Sequence, residues 1–505
     1  MKYLPFGKCD KEKNMTHEEY LKQIDSVIEN GKYKADWKSL ANHKTPDWFR
    51  ESKLGIFIHW GIYSVPGFGN EWYARSMYDK NCREFEHHRK TYGEHKDFGY
   101  KDFIPMFKAQ KFSADEWTDL FRKAGIRYVM PVCEHHDGFA MYKTAFNRWN
   151  AAEMGPCRDV VGELKEACEK KGLTFCGSTH RAEHYFFMNL GRSFDSDVND
   201  EKYADFYGPA VYIPELDSHH MGGSTEDPQG VGASEEWLCD WLVRTCELID
   251  SYQPSIVYFD WWIQNHSFKP YLKKLAAYYY NRAEEWGKEV TINYKHYSFP
   301  DTVATYDIEK GALTGISPVP WQTDTNIGKH SWGYIKDNKY KSARQVISDL
   351  IDIVSKNGNL LINIGPKPDG TITDEETAVL LEMGRWLGIN GEGIYGTRPW
   401  RYFGEGKVNA EDGAFKDSDE KAFTNNDFRF TYKDGELFAF QMRPNGKTVK
   451  IKSLRRCDMR YVLFDKIELL GYGEVEYSRT DKALEIRLPD GVSTDLPLCF
   501  KIKLL

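Results

Sequence analysis

Short apolar runs recur through the first four hundred positions, each followed by turn residues and then by apolar positions at helical spacing. The runs that read as strands are "GIFIHW" (55–60), "RYVMPVCE" (127–134), "LTFCGSTH" (173–180), "SIVYFDWW" (255–262), "VTINYK" (290–295), "TVATYDIE" (302–309) and "NLLINIGP" (359–366). Between them, "SADEWTDLFRKAG" opens at a serine with acids in its first turn and closes at a glycine, as a capped helix does. "RDVVGELKEACEKKGL", "EEWLCDWLVRTCELIDSY" and "ARQVISDLIDIVSKNG" show the same helical period. Strands apolar on both faces and alternating with helices describe a parallel sheet, and at this length a (β/α)₈-like barrel. Seven strands are clear; the eighth is expected to be short or irregular. After Trp400 the period changes from helical to alternating, with hairpin turns at "KDGE" and "PNGK". The expected organisation is an N-terminal helical extension (1–44), a catalytic barrel (45–400) and an antiparallel β-sandwich (401–505).

Composition narrows the class of partner. A net charge of −8 disfavours nucleic acid and anionic membrane, and 41% hydrophobic with 29% charged residues is ordinary for a globular protein. Aromatic residues reach 15%, an excess that suits either a large core or surfaces that stack on sugars. The N-terminal stretch holds no apolar run of signal-peptide or membrane-span length. Ten scattered cysteines contain no CxxC pair, so reduced thiols in the cytoplasm are expected, and the sequons at Asn14 and Asn265 are read as accidental.

Chemistry collects where the strands end. Barrel active sites lie at the carboxyl ends of strands. There stand His59 and Trp60, then Glu134 to Asp137, Thr179 and His180, Asp260, Lys295 and Glu309. Asp260 closes an apolar run and is followed by two tryptophans, so it is either paired or used. Asp260 and Glu309 end different strands and could face one pocket, which suits glycoside hydrolysis; a retaining pair would stand roughly 5–5.5 Å apart. "EHHDGF" (134–139) places two histidines between acids, a pattern fit for binding sugar hydroxyls. "HRAEH" (180–184) matches a zinc signature, but that signature needs a helix and here follows a strand. A metal-dependent site built on His59, His135, His136, His180 and His184 is the competing reading.

The segments "LGIFIHWGIYSVPGFGNEWYARSMY", "AGIRYVMPVCEHHDGFAMY", "CRDVVGELKEACEKKGL", "PSIVYFDWW", "SWGY", "VSKNGNLLINIGPKPDGTI" and "NGEGIYGTRPW" resemble, in order from about 45 to 400, the α-L-fucosidases of glycoside hydrolase family 29. The resemblance implies a retaining exo-hydrolase that needs no cofactor or metal and releases α-linked L-fucose from an oligosaccharide or glycoconjugate. It implies Asp260 as nucleophile and Glu309 as acid/base, with His59, Glu71, Trp72, His135 and His136 holding the sugar. Thr179, His180, Trp262, Lys295 and Trp321 complete the expected binding set, and a homo-oligomer is compatible with the family. Four positions depart from the family pattern. Glu134 replaces the usual Lys and is a rival proton donor, Gln322 replaces an acid, Lys295 an expected Arg, and Thr179 a Tyr. A related specificity, such as an α-L-galactoside, is the alternative on the same machinery.

Overall fold

A computed structural model of the protein describes residues 15–213, 231–417, 420–456 and 462–505; Cys9, Asn14 and Cys457 lie outside the described residues. Eight parallel strands close a barrel: β1 (Leu54–Ile58), β2 (Tyr128–Glu134), β3 in two pieces (Thr174–Phe175 and Gly177–Thr179), β4 (Ile256–Phe259), β5 (Thr291–Tyr294), β6 (Thr305–Glu309), β7 (Trp321–Asn326) and β8 (Gly358–Ile364). β1 pairs with both β2 and β8, which closes the ring. The seven sequence-legible strands all appear. The eighth, β7, is the stretch "WQTDTN", whose inner face carries Gln322, Asp324 and Asn326 rather than apolar side chains. Its polarity is why no apolar run marked it.

Helices cover the outside, beginning with α1 (His17–Asn30), α2 (Ala114–Lys123), α3 (Val160–Lys171) and α4 (Glu235–Tyr252). α5 (Lys269–Trp286), α6 (Ala343–Ser355) and α7 (Asp374–Asn390) follow. Their starts follow the caps in the sequence: Ser113, Asp159, Ser234 and Ser342 each accept a backbone N–H from the first turn. α3 ends at Gly172 in the left-handed region, φ 67°, where a side chain would be strained. α1 is fixed by a reciprocal Thr16–Glu19 capping box and buries Tyr20, Ile24 and Ile28 in the same apolar cluster as α4 and α5.

Beyond the barrel, β9 (Arg398–Glu405), β10 (Phe428–Lys433), β11 (Glu436–Gln441), β12 (Thr448–Ile451), β13 (Phe464–Leu469), β14 (Gly473–Glu474), β15 (Tyr477–Arg479), β16 (Leu484–Arg487) and β17 (Leu498–Leu504) form two antiparallel sheets. The larger runs β9-β10-β11-β17-β13-β14 and the smaller β12-β16-β15. Alternation divides β11 between two interiors. Leu437 and Ala439 enter the sandwich core with Val449 and Ile486, whereas Phe438 and Phe440 join the barrel core, with Phe440 against Trp386 of α7. At the same junction Asp352 of α6 is fully buried between Arg429, Lys356 and Lys421. Burial alone would raise its carboxyl, but these three cations outweigh burial and hold it well below the usual range. The eight described cysteines are free thiols. No helix among the described residues is long and apolar enough to cross a membrane.

Candidate active site

One cavity of about 790 Å³ opens at the carboxyl ends of the strands, a size that fits more than one monosaccharide. Its lining includes His59, Glu71, Trp72, His135, His136, His180, Asp260, Trp262 and Glu309, which sequence reasoning placed there. It also includes Glu183, Trp261, Asp324, Ser331, Trp332 and Phe415, which that reasoning did not single out.

Around Asp260 the neighbours are imidazoles. Asp260 Oδ2 lies 3.2 Å from His180 Nδ1 and 3.4 Å from His136 Nε2. Burial pushes this carboxyl upward, but His180 and His136 outweigh it and hold it well below the ordinary range, so it is ionised. On its far side His136 Nδ1 meets Glu183 at 3.3 Å. Burial works against its charge, yet the two flanking acids, Glu183 foremost, raise the ring to about 9. His59, His135 and His180 go the other way: burial lowers all three, His59 and His135 well below the usual imidazole range, while Asp260 pulls His180 back up. His59 Nδ1 is fixed 2.7 Å from Asn363 Oδ1, and His180 Nε2 2.7 Å from Ser178 Oγ. His135 Nδ1 is buried without a protein partner among the described residues. Glu71 accepts from Ser331 Oγ and from the Trp332 N–H, both at 2.9 Å, and the Trp332 ring lies 5.1 Å from His59.

Glu309 has the opposite setting. β6 and β7 turn Asp307, Glu309 and Asp324 inward, and Lys295 stands among them with Nζ 2.9 Å from Asp307, 2.8 Å from Asp324 and 3.6 Å from Glu309. The Tyr258 hydroxyl donates to Asp324 at 2.8 Å, and Gln322 donates to Asp307 at 2.7 Å. Three acids share one buried ammonium, and burial with the neighbouring Asp324 charge raises Asp307 to about 8. Burial raises Glu309 most, Lys295 pulls it back, and Asp324 and Asp260 raise it again, to about 7. The Trp261 Nε1–H donates to its carboxylate.

Four expectations need correction. Trp321 sits at the start of β7, away from the cavity, buried against α6 with its Nε1 donating to Lys356 O at 3.0 Å. Lys295 does not line the cavity; it lies beneath it and is spent on the acids. Thr179 is outside the lining because alternation gives the inner face to Ser178 and His180. Glu134 is no rival donor: a register shift after Val132 re-aims it, and it is buried between Arg181 (2.9 Å) and Arg244 (2.7 Å). Nor does "HRAEH" place its histidines together, since His184 Nδ1 donates to His136 O at 2.7 Å. The metal reading keeps two groups among the described residues, His59 with His135 and His180, and His136 with His180 and Asp260, each with its ligand atoms within 4.8 Å of one another.

The family model described as Alpha-L-fucosidase matches residues 20–392. Tissue alpha-L-fucosidase of Rattus norvegicus is 32% identical over 380 residues, covering 73% of this chain and 74% of that one. The Homo sapiens tissue alpha-L-fucosidase is 32% identical over 376 residues, with 73% of each covered. The crystal structure of Thermotoga maritima alpha-fucosidase in complex with fucose superposes with a TM-score of 0.71 at 31% identity, covering 93% of this chain and all of that one.

Proposed function

Because the chain belongs to the α-L-fucosidase family of glycoside hydrolases, we propose that it removes terminal α-L-fucose from glycans with retention of configuration, through an ester on Asp260. The observation that carries this reading is the divergence of two carboxyls in one cavity: Asp260 held ionised by imidazoles, Glu309 raised to about 7. Support also comes from the Thermotoga maritima alpha-fucosidase, 30% identical and solved with a mechanism based inhibitor.

In the first step the ionised Asp260 oxygen attacks the anomeric carbon, and the bond to the leaving oxygen breaks as Glu309 gives that oxygen its proton. The sugar is then an ester of Asp260, and Glu309 is a carboxylate. Water next loses a proton to Glu309 and attacks the same carbon, which releases fucose and restores both acids. His136, charged between Glu183 and Asp260, holds the nucleophile's orientation. The neutral His59 and His135, with His180 and Glu71, supply hydrogen bonds for the sugar hydroxyls, and the Trp72 and Trp332 rings offer apolar faces.

The stereochemical test is NMR of the first anomer formed from an α-L-fucoside: the α-anomer is expected, and an initial β-product would end the proposal. Release of nitrophenol from α-L-fucoside and α-L-galactoside separates the fucose reading from a related sugar. Activity retained after exhaustive chelation is the expected outcome against the metal reading on either group.

A further inference from the structure

The imidazole end of the cavity accounts for one sugar ring, and Glu309 marks where the leaving oxygen must stand. Beyond Glu309 the surroundings change to exposed aromatic faces. Trp261 reaches the Glu309 carboxylate through its Nε1–H, and Phe415 donates its backbone N–H to the Glu309 carbonyl at 2.8 Å. The two rings are nearly parallel, 15° apart with centroids separated by 6.4 Å. His296 lies 5.6 Å from Trp261, and its neighbour Tyr297 is 73% exposed.

Phe415 comes from the connection between β9 and β10 of the sandwich, not from the barrel. It is 59% exposed, although burying a phenyl ring elsewhere would be favourable. Its backbone is held in the left-handed region, φ 58°, as are Trp262, His296, Tyr297 and Lys310 around the same mouth. The segment is pinned on both sides of the ring. Gly413 N–H donates to Ala312 O at 3.2 Å, Lys416 N–H to Lys310 O at 2.7 Å, and Asp417 meets Lys341 at 2.7 Å. Gly311 is required for this approach, since a Cβ there would stand 2.1 Å from the Gly413 carbonyl oxygen. An apolar ring held rigidly in solvent beside the proton donor is a surface prepared for a ligand.

We propose that Trp261 and Phe415 form the platform that stacks the sugar to which the fucose is attached, so that Phe415 is a specificity-determining residue; this rests on the fucosidase reading above. The occupant is a pyranose with an unbroken C–H face. The same cavity lining carries the polar side chains of Asn70, Lys310 and His330, which suit a sugar's hydroxyls rather than an aryl group.

The test compares kcat/KM on α-L-fucosyl fluoride, 4-nitrophenyl α-L-fucoside and an α-L-fucosyl-galactose disaccharide, for the native enzyme, Phe415→Ala and Phe415→Tyr. Fluoride is too small to reach the platform, so it reports the fold and the fucose site. In Phe415→Ala the disaccharide-to-fluoride ratio is expected to fall about tenfold, chiefly through KM, and in Phe415→Tyr to return to within about twofold of native. An unchanged ratio in Phe415→Ala overturns the platform, and so does a fall confined to the aryl substrate. If Phe415→Ala also loses fluoride turnover, Phe415→Leu, which keeps apolar volume but no ring, is read in the same way. Absence of fluoride hydrolysis by the native enzyme would instead strike the fucosidase reading.

Discussion

Asp260 and Glu309 are two carboxyls at strand ends in one cavity, and their surroundings pull them apart. Asp260 faces His136 and His180, which favour its charge; Glu309 faces Asp324 and Asp260 across a shared Lys295, and burial wins there. Identical functional groups thus become a nucleophile and a proton donor through their neighbours alone. The imidazole side is a sugar-binding surface that sets charge as well. The acid side is a buried electrostatic cluster with an aromatic lip. Each half can be broken separately.

The largest effect is expected from Asp260→Ala, which removes the attacking oxygen: kcat should fall on the order of 10⁴-fold or more, with partial recovery in azide and a fucosyl azide as product. Turnover near the native rate would mean that the imidazole half serves another purpose. Glu309→Ala should follow, with roughly 10²- to 10⁴-fold loss on glycans and much less on substrates whose leaving group needs no proton. Native kcat/KM should decline as pH rises through about 7, where Glu309 loses its proton. It should persist into acid below the ordinary carboxylate range, because Asp260 stays ionised there. The alkaline limb should vanish in the Glu309 variant.

Lys295→Met with Asp307→Asn sharpens the comparison by removing the ammonium together with one of its acids. Lys295 lowers the Glu309 pKa and Asp307 shares its charge, so the alkaline limb should move upward, with kcat reduced roughly tenfold. A limb that does not move would detach the cluster from Glu309. The smallest effect on catalysis is expected from Glu134→Gln. It strips Arg244 of its closest counter-charge and leaves Arg181 only Asp240, at about 3–5 kcal/mol of stability, measured by denaturant melts, while the pH profile of kcat/KM keeps its shape.

Much of this was legible along the chain. The barrel followed from apolar runs, and Asp260, Glu309 and the histidines followed from their places at the ends of those runs. The misses share one cause, which is that period and polarity describe a strand but not what its neighbours bring to it. β7 carries no apolar run because its inner face is given to polar side chains, so the sequence does not reveal that Trp321, expected to bind substrate, opens this strand at the end away from the cavity. Glu134 changed sides through a one-residue bulge. Glu183 stands inside "HRAEH", where the spacing suggests a metal signature and nothing along the chain shows that it is the acid that charges His136. Phe415 could not be reached at all, since its place depends on backbone pairing with residues about a hundred positions earlier.

The most direct test of the central claim is to trap the enzyme with 2-deoxy-2-fluoro-α-L-fucosyl fluoride and locate the adduct by peptide mass mapping. The account predicts one fluorofucosyl group, on the peptide and side chain of Asp260, formed as activity is lost and released as it returns. An adduct on Glu309 or any other carboxylate, or full inactivation with no covalent mass gain, would contradict it.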